Sequence, residues 1–454
     1  MNKSLPVRDT IFAVATGSVP SGVAVVRISG RDAKSVFDLF HVKQPAPRVA
    51  QLSTLTDNSG QPIDQALALW FPNPNSFTGE DVVELHLHGS SAIVQFVFEQ
   101  LTTLGNFRMA EAGEFTRRAF ENGRMDLTEV EGLGDLLAAQ TEAQRRQALN
   151  QYSGALRALY DTWRQSILEL RAAVEADLDF SDEEDVPGSV ADYVSSDAVS
   201  LSAQIQDHLN DGRRGEIIRD GLKVVLTGPP NAGKSSLLNA LAQSDVAIVT
   251  EIPGTTRDVL TVSLNINDQL LLVSDTAGLR DTDDVVESEG IFRATKAAAE
   301  ADLVLWLDPC DKPAWPPQFP GMQDADMPET IRIRTKSDLL DCTIGREGQD
   351  GNDIFVSAQS GNGMDGLLRT LDRFGSVSKK IDDISESPLI TRIRHRTALE
   401  ECVTFLTGCG DETLPLEIRV EYLRSASDAI GRILGRIDVE DILGHIFSEF
   451  CIGK

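Results

Sequence analysis

Nine residues, Gly228-Pro-Pro-Asn-Ala-Gly-Lys-Ser-Ser236, constrain this chain more than any other stretch. They fit the phosphate-loop pattern GxxxxGK[ST], and the flanks suit it. The apolar run Leu222 to Thr227 precedes them as a strand, while Leu237, Leu238, Ala240 and Leu241 continue them as a helix. A chance glycine-rich turn would lack both flanks. Backbone N–H groups from Asn231, Ala232, Gly233, Lys234, Ser235 and Ser236 are expected to cradle phosphates at the helix N-terminus. Lys234 would neutralise β/γ charge, and the Ser235 hydroxyl would ligate Mg²⁺.

The remaining nucleotide motifs follow in the expected order. Asp275-Thr276-Ala277-Gly278 comes after the apolar run Leu270 to Val273, where Asp275 would hold Mg²⁺ directly or through water and the Gly278 N–H would sense the γ-phosphate. Between the two loops, Thr250-Glu-Ile-Pro-Gly-Thr-Thr-Arg257 offers Thr256 as a metal-ligating hydroxyl. Thr335-Lys336-Ser337-Asp338 sits at the place of an N/TKxD motif, with Thr335 where Asn is commoner. A carboxylate at Asp338 accepts both N1–H and the N2 amino group of guanine, which adenine cannot offer. Ser357-Ala358 supplies the last, weaker base contact. GTP is therefore the expected nucleotide, and an ATP-driven motor is excluded at Asp338.

Hydrolysis needs something further, because Leu279 stands where many G proteins place a glutamine that orients the attacking water. In-line attack also benefits from a cation near the β–γ bridge. Asn231 and the carbonyls of the Thr250 to Thr255 segment are suited to enclosing a monovalent ion, so K⁺ dependence is expected.

The chain divides around this core. Up to about residue 118, short β runs such as Val23 to Ile28 and Val82 to Leu87 mix with helical stretches such as Ala92 to Leu104, which predicts an α+β domain. From Leu127 to Asp179 the spacing predicts almost continuous amphipathic helix, with a second helical stretch at Ser195 to Arg214. Strand and helix signals then alternate to about Phe374, as in a parallel α/β domain, before helix returns to the C-terminus. The expected architecture is an α/β P-loop G domain at 218–378, inserted in a discontinuous helical domain at 119–217 and 379–454, behind an N-terminal domain at 1–118. Six prolines between Pro309 and Pro328 predict a short or absent helix there.

Composition narrows the class. With 42 Lys+Arg against 70 Asp+Glu the net charge is −28, a field that repels nucleic-acid backbones, so any nucleic acid is expected to be held largely through a partner. The start of the chain has no signal-peptide pattern and no run approaches a membrane span, which makes the cytoplasm the expected location. The cysteines Cys310, Cys342, Cys402, Cys409 and Cys451 are odd in number and lack CxxC spacing, so reduced thiols are expected. His86 and His88 alternate on a predicted strand and share a face, but no third ligand accompanies them. Packing in a pocket or a dimer interface is the expectation.

Beyond the nucleotide motifs, the segment Pro74-Asn-Ser-Phe-Thr-Gly-Glu-Asp-Val-Val-Glu-Leu-His-Leu-His-Gly89, the stretch Gly113-Glu-Phe-Thr-Arg-Arg-Ala-Phe120 and the terminal Phe450-Cys-Ile-Gly-Lys454 closely resemble the MnmE (TrmE) family. The resemblance covers essentially the whole chain. It implies a homodimer whose N-terminal domain binds a tetrahydrofolate derivative, in the 5-formyl or 5,10-methylene form. It implies a heterotetramer with the FAD-dependent protein MnmG, adding an aminomethyl or carboxymethylaminomethyl group to C5 of the wobble uridine of certain tRNAs.

The same resemblance implies K⁺ held by Asn231, Thr250, Ile252 and Thr255, Mg²⁺ held by Ser235 and Thr256, and Glu287 as the catalytic carboxylate. Folate contacts fall on Arg27, Glu84, Arg124 and Lys454, with Cys451 as a possible functional thiol. A ribosome-assembly or switch GTPase is the alternative function. Such a protein would usually carry a second G domain or an RNA-binding module, and neither pattern is present here.

Overall fold

The computed structural model describes residues 9–179, 190–248, 261–275, 295–314, 328–339, 353–377, 388–437, 440–448 and 450–453. Two compact units emerge, one of Met1–Gly134, Gln151–Ala198 and Phe405–Lys454, the other of Asp135–Asn150 and Val199–Thr404.

The first unit begins with a six-stranded sheet of β1 (Thr10–Val14), β2 (Ser21–Ser29), β3 (Gln51–Thr56), β4 (Pro62–Phe71), β5 (Val82–Gly89) and β6 (Phe107–Met109). The spatial order is β3-β4-β5-β2-β1-β6, antiparallel throughout except for the parallel β1·β6 pair. Alternation decides which face is buried: Ala24, Val26 and Ile28 of β2 and Val83, Leu85 and Leu87 of β5 turn into the core. There they meet Val36 and Phe37 of α1 (Ser35–Leu39) and Val94, Val97 and Leu101 of α2 (Ser91–Thr102). The intervening residues Val25, Arg27, Glu84, His86 and Leu67 occupy the opposite face.

Helices α3 (Glu114–Glu121), α4 (Leu127–Ala138), α5 (Glu142–Tyr152) and α6 (Ala155–Asp179) follow. The almost continuous helix expected over 127–179 is thus three helices, interrupted at 139–141 and at 153–154. Thr141 and Gln144 explain the first break: the Thr141 hydroxyl accepts the Gln144 N–H and the Gln144 side chain accepts the Thr141 N–H, a reciprocal cap. A small core of Leu127, Val130, Ile446, Phe447 and Phe450 joins α4 to the chain's last helix, Glu440–Ser448.

After α7 (Val190–Asn210) and α8 (Gly212–Asp220), the second sheet is built from β7 (Leu222–Thr227), β8 (Thr261–Ile266), β9 (Gln269–Asp275), β10 (Leu303–Pro309), β11 (Glu329–Thr335) and β12 (Ile354–Val356). Its order is β12-β11-β10-β7-β9-β8, parallel except for β8, which runs antiparallel at the edge. Every residue of β10 is buried, as a strand covered on both faces requires. Leu237, Leu238 and Leu241 of α9 (Lys234–Ala242) and Leu367 and Leu371 of the helix Met364–Val377 complete this core. No helix among the described residues is long and apolar enough to cross a membrane.

Candidate functional site

The C-terminal ends of the parallel strands converge on one cavity of about 610 Å³. The phosphate loop leaves β7 at Gly228, whose φ of 145° brings it against β10, where a Cβ would stand 2.5 Å from the Leu307 carbonyl. Asn231 at φ 64° and Gly233 at φ 94° then turn the backbone into α9. Lys234 folds over the loop, its Nζ donating to the carbonyls of Gly228 at 2.9 Å and Pro229 at 3.1 Å. Burial lowers the Lys234 pKa, with the Asp275 carboxylate pulling the other way.

Asp275, fully buried at the end of β9, accepts the Ser235 hydroxyl at 2.8 Å. A hydroxyl and a carboxylate oxygen at that separation form a hard-oxygen donor pair, and they fit Mg²⁺. Asn231, the described member of the expected K⁺ set, is exposed on the wall of the same cavity.

The base-reading end is equally well ordered. Thr335 ends β11, and its hydroxyl donates to the Ala232 carbonyl at 2.7 Å, so the residue in place of Asn ties the base loop to the phosphate loop. The turn Ser337–Leu339 presents Asp338, whose Oδ1 accepts the Ser357 hydroxyl at 2.7 Å. Ser357, itself buried, also receives the Ser360 N–H at 3.2 Å. Ala358 lines the cavity beside Lys336, which stands at φ 57° and is ion-paired to Asp311 at 3.0 Å.

Sequence reasoning missed Leu339, Val356 and Gln359 on the cavity wall, together with Asp311 and the buried Asp308. Asp308 accepts Arg332 Nε at 2.8 Å and Arg334 Nη1 at 2.7 Å across β10 and β11. Burial opposes its ionisation, but the Ala314 N–H and the two guanidiniums outweigh it and lower the pKa. The exposed Leu339 was the readable one, an apolar residue directly after Asp338 on the wall of the same cavity.

Thr250, Ile252, Thr255, Thr256, Thr276, Ala277, Gly278, Glu287, Cys342 and Lys454 lie outside the described residues, as does most of the proline-rich stretch. The nucleotide residues that are described, from Asn231 through Ser236 with Asp275, Thr335, Lys336, Asp338, Ser357 and Ala358, all belong to the second unit.

A second constellation lies on the outer face of the N-terminal sheet. Register pairs Arg27 of β2 with Glu84 of β5, and Arg27 Nε meets Glu84 Oε1 at 2.9 Å. The guanidinium also sits 5.2 Å from the Phe77 ring centre and 5.8 Å from that of Phe115. Glu84 Oε2 faces His86 Nε2 at 3.3 Å. An anchored carboxylate beside aromatic rings fits the amino and ring N–H donors of a pterin. Arg124 is exposed, its side-chain carbons beside Gly79 in the same loop that carries Phe77.

The C-terminal segment returns to this sheet. Ile452 bridges Ala112, and Gly453, at φ 98°, lies so close to β1 that a Cβ would stand 2.0 Å from the Val14 carbonyl. Cys451 is exposed, while Cys310, Cys402 and Cys409 are buried, and burial pushes the Cys402 thiol up to about 12. The two histidines are ion-paired within the single chain, His86 to Glu84 and His88 to Asp64. The His86 side chain is 30% exposed and that of His88 69% exposed, and no metal-binding cluster occurs among the described residues.

Comparison with known proteins matches residues 10–124 to the family model described as GTP-binding protein TrmE N-terminus, and residues 127–451 to the MnmE helical domain. Proteins described as tRNA modification GTPase MnmE are similar along their whole length. The one from Agrobacterium fabrum is 50% identical, over 98% of this chain and 99% of its own. That of Rhizobium johnstonii is 48% identical over 98% and 99%, and that of Brucella anthropi 48% over the full length of both.

Proposed function

The chain belongs to the MnmE (TrmE) family of tRNA modification GTPases, and from that premise we propose that it is a K⁺-dependent GTPase, activated by dimerisation, that serves C5 modification of the wobble uridine. Its partner in this reading is the FAD-dependent MnmG, which holds most of the tRNA, and its one-carbon source is a tetrahydrofolate bound in the N-terminal domain. The expected setting is the cytoplasm. The observation that carries the reading is the coexistence of a cavity lined by the phosphate and base loops with the Arg27–Glu84 pair on a separate sheet of the same chain.

In the nucleotide site, the backbone N–H groups from Asn231 to Ser236 bind the phosphates, and Lys234 moves from its loop carbonyls to the β/γ oxygens. Ser235 and Asp275, together with Thr256, would hold Mg²⁺, which would supply neutralising charge for the leaving oxygens. Asn231, with the backbone of Thr250, Ile252 and Thr255, would hold K⁺, which would supply positive charge to the phosphates. Glu287 orients the attacking water. Asp338 reads guanine, and its carboxylate is aimed by the Ser357 hydroxyl.

In the N-terminal site, Glu84 pairs with the pterin's donors, while Arg27, Arg124 and Lys454 face its carbonyl and glutamyl carboxylates. The outer face of the sheet also leaves Leu52 and Leu67, partners in register, 67% and 40% exposed, which suits a face covered by a second copy of the chain.

The test is nucleoside mass spectrometry of tRNA from cells lacking the protein. Loss of C5-aminomethyl-type wobble uridines, restored by wild type but not by Glu287→Ala, is the expected result. Unchanged wobble uridines would bring the assembly-GTPase alternative forward. Equal GTP turnover in K⁺ and Na⁺ buffers would remove the K⁺ part of the reading.

A further inference from the structure

Four residues along β5 from Glu84, at the end of the strand, stands an Asp–His couple that none of the roles above uses. The Asp64 side chain is 7% exposed and accepts the His88 backbone N–H at 2.8 Å, the Gln65 N–H at 2.8 Å and His88 Nδ1 at 2.7 Å. A carboxylate only accepts, so Nδ1 carries the ring proton and the Nε2 lone pair is left outward on a ring that is 69% exposed. The neighbouring His86 commits the opposite nitrogen, Nε2, to Glu84. Period-two alternation puts Glu84, His86 and His88 on one face of β5, within about 14 Å of one another along the strand.

We propose that His88, oriented by Asp64, is the proton acceptor of the N-terminal site, serving the primary amine that is joined to the one-carbon unit. The proposal rests on the folate reading of that site. A primary amine is a cation at neutral pH and has no lone pair with which to attack. Nε2 takes one proton from the ammonium nitrogen, giving a neutral amine and an imidazolium, and the imidazolium charge is held against Asp64. The exposed ring then returns the proton to solvent, so no oxidant or further reactant is required.

Asp64 already accepts two backbone N–H groups, so the Nδ1 contact is not needed to satisfy its carboxylate. Its consequence is orientation, the role a carboxylate plays behind a catalytic imidazole. The charged group in contact with His88 is Asp64 from β4, while His86 and then Glu84, with Arg27 of β2 paired to it, lie two and four residues back along the same face of β5. Asp64 is a positioning residue, acting only through the ring.

The experiment uses the full chain with its FAD-dependent partner and tRNA, with ammonium or glycine in separate arms, and wild type beside His88→Ala, His88→Gln and Asp64→Asn. General-base removal is expected to slow single-turnover modification about 100-fold in His88→Ala, with partial rescue by added imidazole. Any pH dependence that a proton acceptor gives the wild-type rate should be lost in His88→Ala. GTP turnover, dimer mass and 5-formyltetrahydrofolate binding should stay within about twofold, since the ring is exposed and supports no core.

Independently of activity, ¹⁵N-histidine spectra of wild type should show His88 in the Nδ1–H form, and Asp64→Asn should mix the tautomers. Rescue in the ammonium arm alone, or in the glycine arm alone, identifies the amine and supports the proposal. Modification within threefold of wild type in His88→Ala overturns it, as does an Nε2–H tautomer or loss of 5-formyltetrahydrofolate binding in that variant. If wild type itself fails to bind 5-formyltetrahydrofolate, the folate reading falls and this proposal falls with it. Intact wild-type binding with an undiminished His88→Ala rate removes the proposal alone.

Discussion

The two sheets carry their chemistry in different places. In the parallel sheet, Lys234, Ser235, Asp275, Asp338 and Ser357 all sit at or just beyond strand C-termini, where successive loops open onto one crevice. In the antiparallel sheet, Arg27, Glu84 and His86 project from strand interiors, and His88 from the end of β5, onto one broad face. A crevice collects backbone N–H groups and suits a phosphate ester. A face presents side chains at fixed intervals of about 7 Å along each strand and suits a flat, extended ligand. Each architecture can therefore be disabled without the other.

The largest separation should come from Asp338→Asn. Guanine offers two donors to the carboxylate, and an amide can accept only one of them while aiming its own NH₂ at the other. Loss of that charged pair is worth about 4 kcal/mol, so GTP affinity should fall roughly 1,000-fold. Xanthine, which presents an acceptor in place of the amino group, should regain much of it. Titration with labelled GTP and XTP checks this, and 5-formyltetrahydrofolate binding in the other unit should not change. A variant that still prefers GTP would mean that Asp338 is not the reader.

Protonation should pull the two units in opposite directions. In the first, burial outweighs the Glu129 N–H and Thr128 hydroxyl and raises Asp126 to about 6, above its unfolded value of 3.8. That stabilising contribution is complete below pH 3.8 and is lost as pH rises through about 6. In the second, burial outweighs Asp211 and lowers His208 from 6.5 to about 4. Its contribution is complete above pH 6.5 and is lost as pH falls through about 4. Each shift sets a ceiling of about 3 kcal/mol. Hydrogen exchange at pH 7 and pH 5, corrected for intrinsic rates, should show peptides around Asp126 gaining protection and those around His208 losing it. Asp126→Asn and His208→Gln should each flatten one response only, and parallel movement in both units would contradict the assignment.

The same contrast explains what could be read from the amino-acid order. A loop site is contiguous, so Gly228 to Ser236 and Thr335 to Asp338 are visible as words, and the strands before them are short apolar runs. A face site is scattered: Arg27 and Glu84 are 57 positions apart and meet only through the β2·β5 register, which no local pattern specifies. Family resemblance supplied that pair, and periodicity put His86 and His88 on one face. Asp64 was invisible, because its partner lies across a strand pair. The breaks at 139–141 and 153–154 were missed for a related reason, since the apolar spacing continues through a cap made by Thr141 and Gln144 and through a turn at Gly154, whose φ is 88°.

Gly453 probes how far the face site extends. Gly453→Ala puts a Cβ 2.0 Å from the Val14 carbonyl at a φ of 98°, a conformation that costs roughly 1–3 kcal/mol before the clash is counted. The C-terminal segment must leave β1 and carry Cys451 with it. Modification should drop more than about tenfold while GTP turnover stays within about twofold. Full modification in Gly453→Ala would confine the site to the strands.

The finest distinction concerns Thr335, which neither touches a phosphate nor matches the commoner asparagine. Its hydroxyl fastens the base loop to the Ala232 carbonyl inside the phosphate loop, so the two ends of the crevice are held in register by one buried hydrogen bond. Thr335→Val keeps the shape and removes the donor, leaving that carbonyl without it at a cost of about 1–2 kcal/mol. GTP affinity should fall about tenfold, with guanine over adenine preference intact because Asp338 is still aimed by Ser357. Thr335→Ser should restore it. Should preference collapse along with affinity, Thr335 would have to contact the base itself, and the crevice would then read guanine with two side chains.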